Sequence, residues 1–155
     1  MPRNASADLQ RLLDRARKAS LKAYAPYSGI RVGAAALVSS GKVYPGCNVE
    51  NASLGLTSCA ERVAIQNAVA AGERQILAVA VFSPDMKSIA PCGACRQVMA
   101  EFSGPDGLLV ILEGKKGAES IPLEKLLPRA FCARNARLPA PGCRLPGRPP
   151  GRSSL

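Results

Sequence analysis

Apolar positions along the first 131 residues change their period from one stretch to the next, and the changes mark out elements. Leu9, Leu12, Leu13, Ala16, Ser20, Ala23 and Tyr24 recur at helical spacing. They predict an amphipathic helix over residues 8–25 with Asp8 as its cap. The stretch Tyr24-Ala25-Pro26-Tyr27-Ser28-Gly29 ends it. Residues 31–38 are mostly small or β-branched and read as a strand, Ser39-Ser40-Gly41-Lys42 as a hairpin turn, and residues 42–50 as the returning strand. Within the latter, Pro45-Gly46 marks a bulge or an edge.

A second helix is predicted from Ser58-Cys59 to Ala71, with Gly72 suited to its C-terminal cap. Residues 76–82 form a near-continuous apolar run, the signature of a strand buried on both faces. Pro91-Cys92-Gly93 opens a third helix, on which Cys95, Val98, Met99 and Phe102 share one face before Gly104-Pro105 stops it. Residues 108–112 predict another strand, and residues 121–127 a short strand end and a last helical turn. This order implies an α/β fold with a mixed sheet and helices on its faces.

From residue 132 the pattern stops. Five prolines, three glycines and five arginines fall among 24 residues, with no acidic residue. The expected organisation is a domain over residues 1–131 and an Arg/Pro/Gly-rich, disordered tail over 132–155. The split changes the meaning of the net charge of +10: residues 1–131 carry 16 basic against 11 acidic side chains, so half the basicity is in the tail. No aromatic residue is interleaved with the tail arginines. Nucleic-acid binding therefore has no stacking platform there. No apolar run reaches 18 residues and the N-terminus has no apolar signal region. A cytoplasmic protein with reduced thiols is expected.

There is no histidine among the 155 residues, while cysteines stand at 47, 59, 92, 95, 132 and 143. A transition-metal site must then be built from thiolates or carboxylates, and a general acid or base from a carboxylate. Cys92 and Cys95 open one predicted helix and Cys59 another. A helix N-terminus favours thiolate over thiol. Three thiolates leave one tetrahedral position open, as a catalytic zinc requires. Arg62 is placed to withdraw charge from the sulfurs. Taken by itself, Cys-x-x-Cys reads equally as a redox pair or as half of a structural zinc site with Cys47 as a fourth ligand. Residues two apart on a helix point about 200° from each other. Cys59 and Glu61 share a site only if they lie at the very first turn, where Ser58 is available as a cap.

The combination of Cys59-Ala60-Glu61-Arg62 with Pro91-Cys92-Gly93-Ala94-Cys95-Arg96-Gln97 is that of the zinc deaminases. Together with Tyr24-Ala25-Pro26-Tyr27-Ser28, Val32-Gly33-Ala34-Ala35, Gly46-Cys47-Asn48-Val49-Glu50-Asn51-Ala52-Ser53 and Leu126-Leu127-Pro128-Arg129-Ala130-Phe131, it resembles the small, homotetrameric cytidine deaminase family over residues 8–131. The resemblance implies a three-layer fold, with a five-stranded mixed sheet sandwiched by helices. It implies one Zn²⁺ per subunit held by Cys59, Cys92 and Cys95, with Glu61 shuttling protons. It also implies that Asn48 and Glu50 bind the ribose, that the Ala60 backbone meets the pyrimidine carbonyl, and that Arg62 hydrogen-bonds the sulfurs. Ile30 would line the base pocket and Phe131 would pack on the base across a subunit boundary. The implied activity is deamination of free cytidine and deoxycytidine in pyrimidine salvage. Three alternatives stand beside it: a modified cytosine nucleoside, a nucleic-acid substrate, or a non-catalytic zinc-stabilised module. The chain departs from the family at Ile30, where an aromatic residue is usual, at Leu54, where Tyr is usual, and after Phe131.

Overall fold

A computed structural model describes residues 5–132. Tail residues 133–155, and the disorder expected of them, lie outside the described residues. Helix α1 spans Ala5–Ser20, followed by β1 (Gly33–Val38), β2 (Val43–Cys47), a 3₁₀ turn (Leu54–Leu56), α2 (Ala60–Ala70), β3 (Ile76–Phe82), α3 (Gly93–Glu101), β4 (Leu109–Gly114), β5 (Gly117–Pro122) and the single turn α4 (Leu123–Leu126). The five strands make one mixed sheet in the order β2-β1-β3-β4-β5. Only β3 and β4 are parallel, and α3 lies in the crossover between them. The other pairs are antiparallel.

Strand alternation divides the core into two layers. Ala34, Ala36, Val38, Val79, Val81, Val110 and Leu112 face one way and pack with Ala60, Ala64, Ile65 and Ala68 of α2 and Cys95, Met99 and Ala100 of α3. Ala35, Ala78, Ala80, Phe82 and Ile111 face the other way, onto Leu12, Leu13 and Ala16 of α1. The architecture is the expected three-layer sandwich, with α1 on one face and α2 and α3 on the other. The apolar run of β3 is explained by its position, since it is flanked by β1 and β4 and covered on both faces.

Several boundaries move. Helix α1 begins at Ala5, so Asp8 lies in its first turn rather than capping it. It ends at Ser20, and Tyr24 instead pairs with Val49 in an isolated parallel bridge. Residues 48–50, expected in β2, lie beyond it, because Val49 turns away to pair with Tyr24 and Ser58. Pro45-Gly46 marks an edge strand, and the one register shift of β1 falls at Leu37/Val38. Helix α3 ends at Glu101, ahead of Gly104-Pro105. Strand β5 is longer than its apolar signal: Ala118 to Ser120 pair fully with β4 although only Ile121 is a strong strand former. Edge strands show this behaviour because backbone pairing needs no apolar side chain.

Two glycines set the spacing of the layers. A Cβ at Gly33 would overlap the Ala16 carbonyl of α1, and one at Gly46 would overlap the Ala60 carbonyl and Ala64 amide of α2. Both helices therefore rest directly on strand backbone. At Gly72, φ is +92°, the left-handed conformation expected just past the end of α2.

Candidate metal and catalytic site

Cys59 and Cys92 are the residues immediately before two helices. Each has extended backbone, with φ/ψ of −69/151° and −67/167°. Cys59, not Ser58, is thus the cap of α2, while Ser58 is engaged in backbone pairing with Val49. The extended conformation removes the angular conflict between Cys59 and Glu61, since only Glu61 belongs to the helical spiral. Neither cysteine side chain caps its helix by a hydrogen bond. Both sulfurs are left for another partner at the positive end of a helix.

That partner is shared. The Sγ atoms of Cys59, Cys92 and Cys95 all lie within 4.8 Å of one another, and those of Cys92 and Cys95 are 3.5 Å apart. Sulfurs on a tetrahedral zinc, with Zn–S of about 2.3 Å, stand roughly 3.8 Å apart, so the triad fits one Zn²⁺ per subunit. Among the described residues, three soft donors and no fourth form an open coordination set. Cys47 does not belong to it, because its thiol donates to the Lys22 carbonyl at 3.3 Å. A closed four-cysteine site completed by Cys47 is thereby set aside. Cys132 is disulfide-bonded, against the expectation of reduced thiols, and Cys143 lies outside the described residues.

Without metal, the Cys59 and Cys95 sulfurs hold their protons unequally. A hydrogen bond from Cys95, aided by Arg62, holds the Cys59 thiol down to about 5 despite its partial burial. Cys95, the donor and fully buried, is pushed up. Metal binding must release such protons. Arg62 donates through Nη2 to the Thr57 carbonyl at 2.7 Å and to Cys59 Sγ at 3.7 Å. Its Nε is buried with no hydrogen-bond partner. Its charge and the two helix N-termini offset the excess negative charge of three thiolates on one zinc.

Glu61 is 4% exposed, in the first turn of α2. Desolvation is the main cause raising its pKa, and the adjacent Cys59 sulfur raises it further. A carboxyl whose charged form is disfavoured in this way holds a proton more readily than an exposed one. Ala60, the first residue of α2, has a backbone N–H with no intrahelical acceptor.

The sugar-side candidates reach the same neighbourhood through the backbone. Val49 and Ser58 exchange N–H···O bonds of 2.9 Å, which stitches Asn48-Val49-Glu50 to the residue before Cys59. Asn48 Oδ1 accepts from Val32 N, and its Nδ2 donates to the Ile30 carbonyl, both at 2.8 Å. Glu50 accepts from Tyr27 N at 2.9 Å, from Ser28 N at 3.2 Å and from the Ser28 hydroxyl. These bonds, led by the Ser28 hydroxyl, keep its carboxyl below the usual range. Both side chains thus brace the 27–32 loop that carries Ile30. Tyr27 and Ser28 hold this site through their backbone N–H groups and the Ser28 hydroxyl, Thr57 through its carbonyl, and Arg96 and Gln97 through side chains that donate to backbone carbonyls. Sequence reading assigned them no role, because a backbone donor or acceptor leaves no trace in residue type. Ile30 is half-buried and Phe131 is 67% exposed.

A family model described as "Cytidine and deoxycytidylate deaminase zinc-binding region" matches residues 6–110. The chain is 44% identical over 128 residues to a cytidine deaminase of Halalkalibacterium halodurans, covering 83% of this chain and 97% of that one. It is similar to the crystal structure of cytidine deaminase from Burkholderia pseudomallei (TM-score 0.72, 48% identity, 78% and 97% covered). It is similar also to that from Mycobacterium tuberculosis (TM-score 0.72, 42% identity, 81% and 98% covered).

Proposed function

The chain belongs to the cytidine and deoxycytidylate deaminase family, and on that premise we propose that it hydrolyses free cytidine and deoxycytidine to uridine and deoxyuridine, releasing ammonia. The observation that carries this reading is the open three-sulfur triad with the buried Glu61 beside it. Zinc held by Cys59, Cys92 and Cys95 supplies Lewis acidity that brings a water's pKa towards neutrality.

Glu61 takes the proton of the attacking water and delivers one to N3 of the cytosine ring. Protonation makes C4 more electrophilic. As the water oxygen bonds to C4, Glu61 takes its second proton and passes it to the amino group, so that the C4–N bond breaks, the C4 carbonyl forms and ammonia leaves. A desolvated carboxyl can both accept and return a proton in one catalytic cycle. The free N–H of Ala60 donates to the pyrimidine carbonyl. Asn48 and Glu50 retain unused acceptor and donor capacity after bracing the 27–32 loop, which suits them to the ribose 3′-hydroxyl. A carboxylate is the stronger acceptor for such a hydroxyl. A pocket that encloses the 3′-hydroxyl also excludes a continuing polymer, so nucleic acid is not the substrate. Ile30 lines the base pocket.

We assign residues 1–131 as the catalytic domain of a cytoplasmic pyrimidine-salvage enzyme. Among the described residues, no helix is long and apolar enough to cross a membrane. Leu54, Leu56 and Phe131 are large apolar side chains left largely exposed. Their exposure supports a homotetramer in which Phe131 reaches the base of a neighbouring subunit. The test is zinc-loaded protein mixed with cytidine, deoxycytidine and a single-stranded oligonucleotide, followed by absorbance and ammonia release. Turnover of both nucleosides and not of the oligonucleotide is expected. Inertness towards both nucleosides at one zinc per chain would overturn the assignment.

A further inference from the structure

Phe131 sits in an unusual local setting. Its neighbours Ala130 and Cys132 are buried, yet its own side chain is 67% exposed. Packing of the ring cannot be what holds this residue in place within its own subunit. Its backbone is held instead: Gln97 Nε2 donates to the Phe131 carbonyl at 2.9 Å, alongside the buried, disulfide-bonded Cys132 that follows. Gln97 lies on α3, two residues after the metal ligand Cys95.

A second tie runs beside the first. Arg96 Nε donates to the Pro91 carbonyl at 2.7 Å, just before Cys92, and its Nη1 donates to the Leu126 carbonyl at 2.8 Å, at the end of α4. Two consecutive side chains of the metal-bearing helix thus grip the C-terminal segment at both ends of residues 126–131. Arg96 joins that segment to the approach to Cys92. Gln97 fixes the one residue whose ring projects outward.

We infer that Gln97 is a positioning residue that sets the presentation of the Phe131 ring relative to the metal helix, and so tunes nucleoside affinity rather than the chemical step. The inference rests on the reading above that Phe131 packs on the base. The physical argument is one of conformational freedom. An exposed ring on an untethered segment samples many orientations and must surrender them on binding. A tethered backbone has surrendered part of that freedom beforehand.

The chain contains no tryptophan, so Phe131→Trp places a single emitter at the position in question. In the zinc-loaded full-length protein, Gln97→Leu keeps the side-chain size and removes the donor, and Gln97→Glu replaces the donor by an acceptor. Combined with Phe131→Trp, each Gln97 variant should increase the nanosecond depolarisation of the emitter's fluorescence. With Phe131 in place, both should raise KM for cytidine by about three- to tenfold, the worth of one such bond, with kcat and zinc content little changed. Unaltered depolarisation in both variants overturns the inference, whatever happens to KM. Altered depolarisation with unaltered KM keeps Gln97 as the positioner of residue 131 and overturns the base-packing role of Phe131 instead.

Discussion

Gly46 of β2 lies directly under Ala60, the first residue of α2, so closely that a Cβ at 46 would overlap the Ala60 carbonyl and the Ala64 amide. Cys59 precedes Ala60 and Glu61 follows it. The height of Cys59 and Glu61 above the sheet is therefore set by a missing side chain one layer below. Gly46→Ala should lower stability by about 1–3 kcal/mol through overpacking and weaken zinc retention. Thermal unfolding and competition with a chelator would show both effects. A variant as stable and as well metallated as the parent would mean that α2 can rise without cost.

Glu61→Gln should keep zinc at one per chain, because Glu61 is not one of the three clustered ligands. It should lose activity by roughly 10²–10⁴-fold, the range for removing a general acid–base. Paired metal analysis and turnover on cytidine provide the check. Normal turnover by the fully metallated variant would remove Glu61 from the mechanism.

Cys92→Ala leaves Cys59 and Cys95 as a two-sulfur set and should lose zinc. Chelation of the parent protein should lower its melting temperature for the same reason, since binding energy at a three-thiolate site is also folding energy. Atomic absorption and calorimetry would measure the two. Unchanged zinc in Cys92→Ala argues against Cys92 as a ligand.

Arg31 and Asp85 form a two-pronged pair that joins the loop before β1 to the loop after β3, with Nη2–Oδ1 at 2.9 Å and Nε–Oδ2 at 3.1 Å. The hydrogen bonds from the Arg31 side chain and backbone bring the Asp85 carboxyl down to about 2. A group whose pKa is depressed on folding stabilises the fold above its unfolded value, about 3.9. That stability is lost as pH falls through about 2. Asp85→Asn should therefore lower the melting temperature at pH 5 and make it less pH-dependent between about 4 and 2. Parallel melting curves for parent and variant across that range would fail this account if they kept a constant offset.

Much of the site could be read from residue types and spacing alone. Cys59, Cys92 and Cys95 were identifiable because ligand chemistry depends on which residues are present, and the absence of histidine left thiolates as the donors. The helix starts, the β1–β2 hairpin and the buried strand β3 were legible for a related reason: hydrophobic period is a local property of the chain. Strand β5 was read only in part, because the polar residues of an edge strand pair through backbone groups that every residue type shares.

The sequence by itself determined the sulfur donor set and the element order. Tertiary structure decided which cysteines meet. Cys47 is chemically equal to Cys59, but its thiol is turned to the Lys22 carbonyl. It decided that Cys59 rather than Ser58 caps α2, because Ser58 is drawn into pairing with Val49. It also decided that Asn48 and Glu50 brace the Ile30 loop and that Gln97 holds Phe131. The physical reason is the same in each case. Each of these contacts reaches a distant backbone amide or carbonyl, and only the folded path of the chain brings that group within reach.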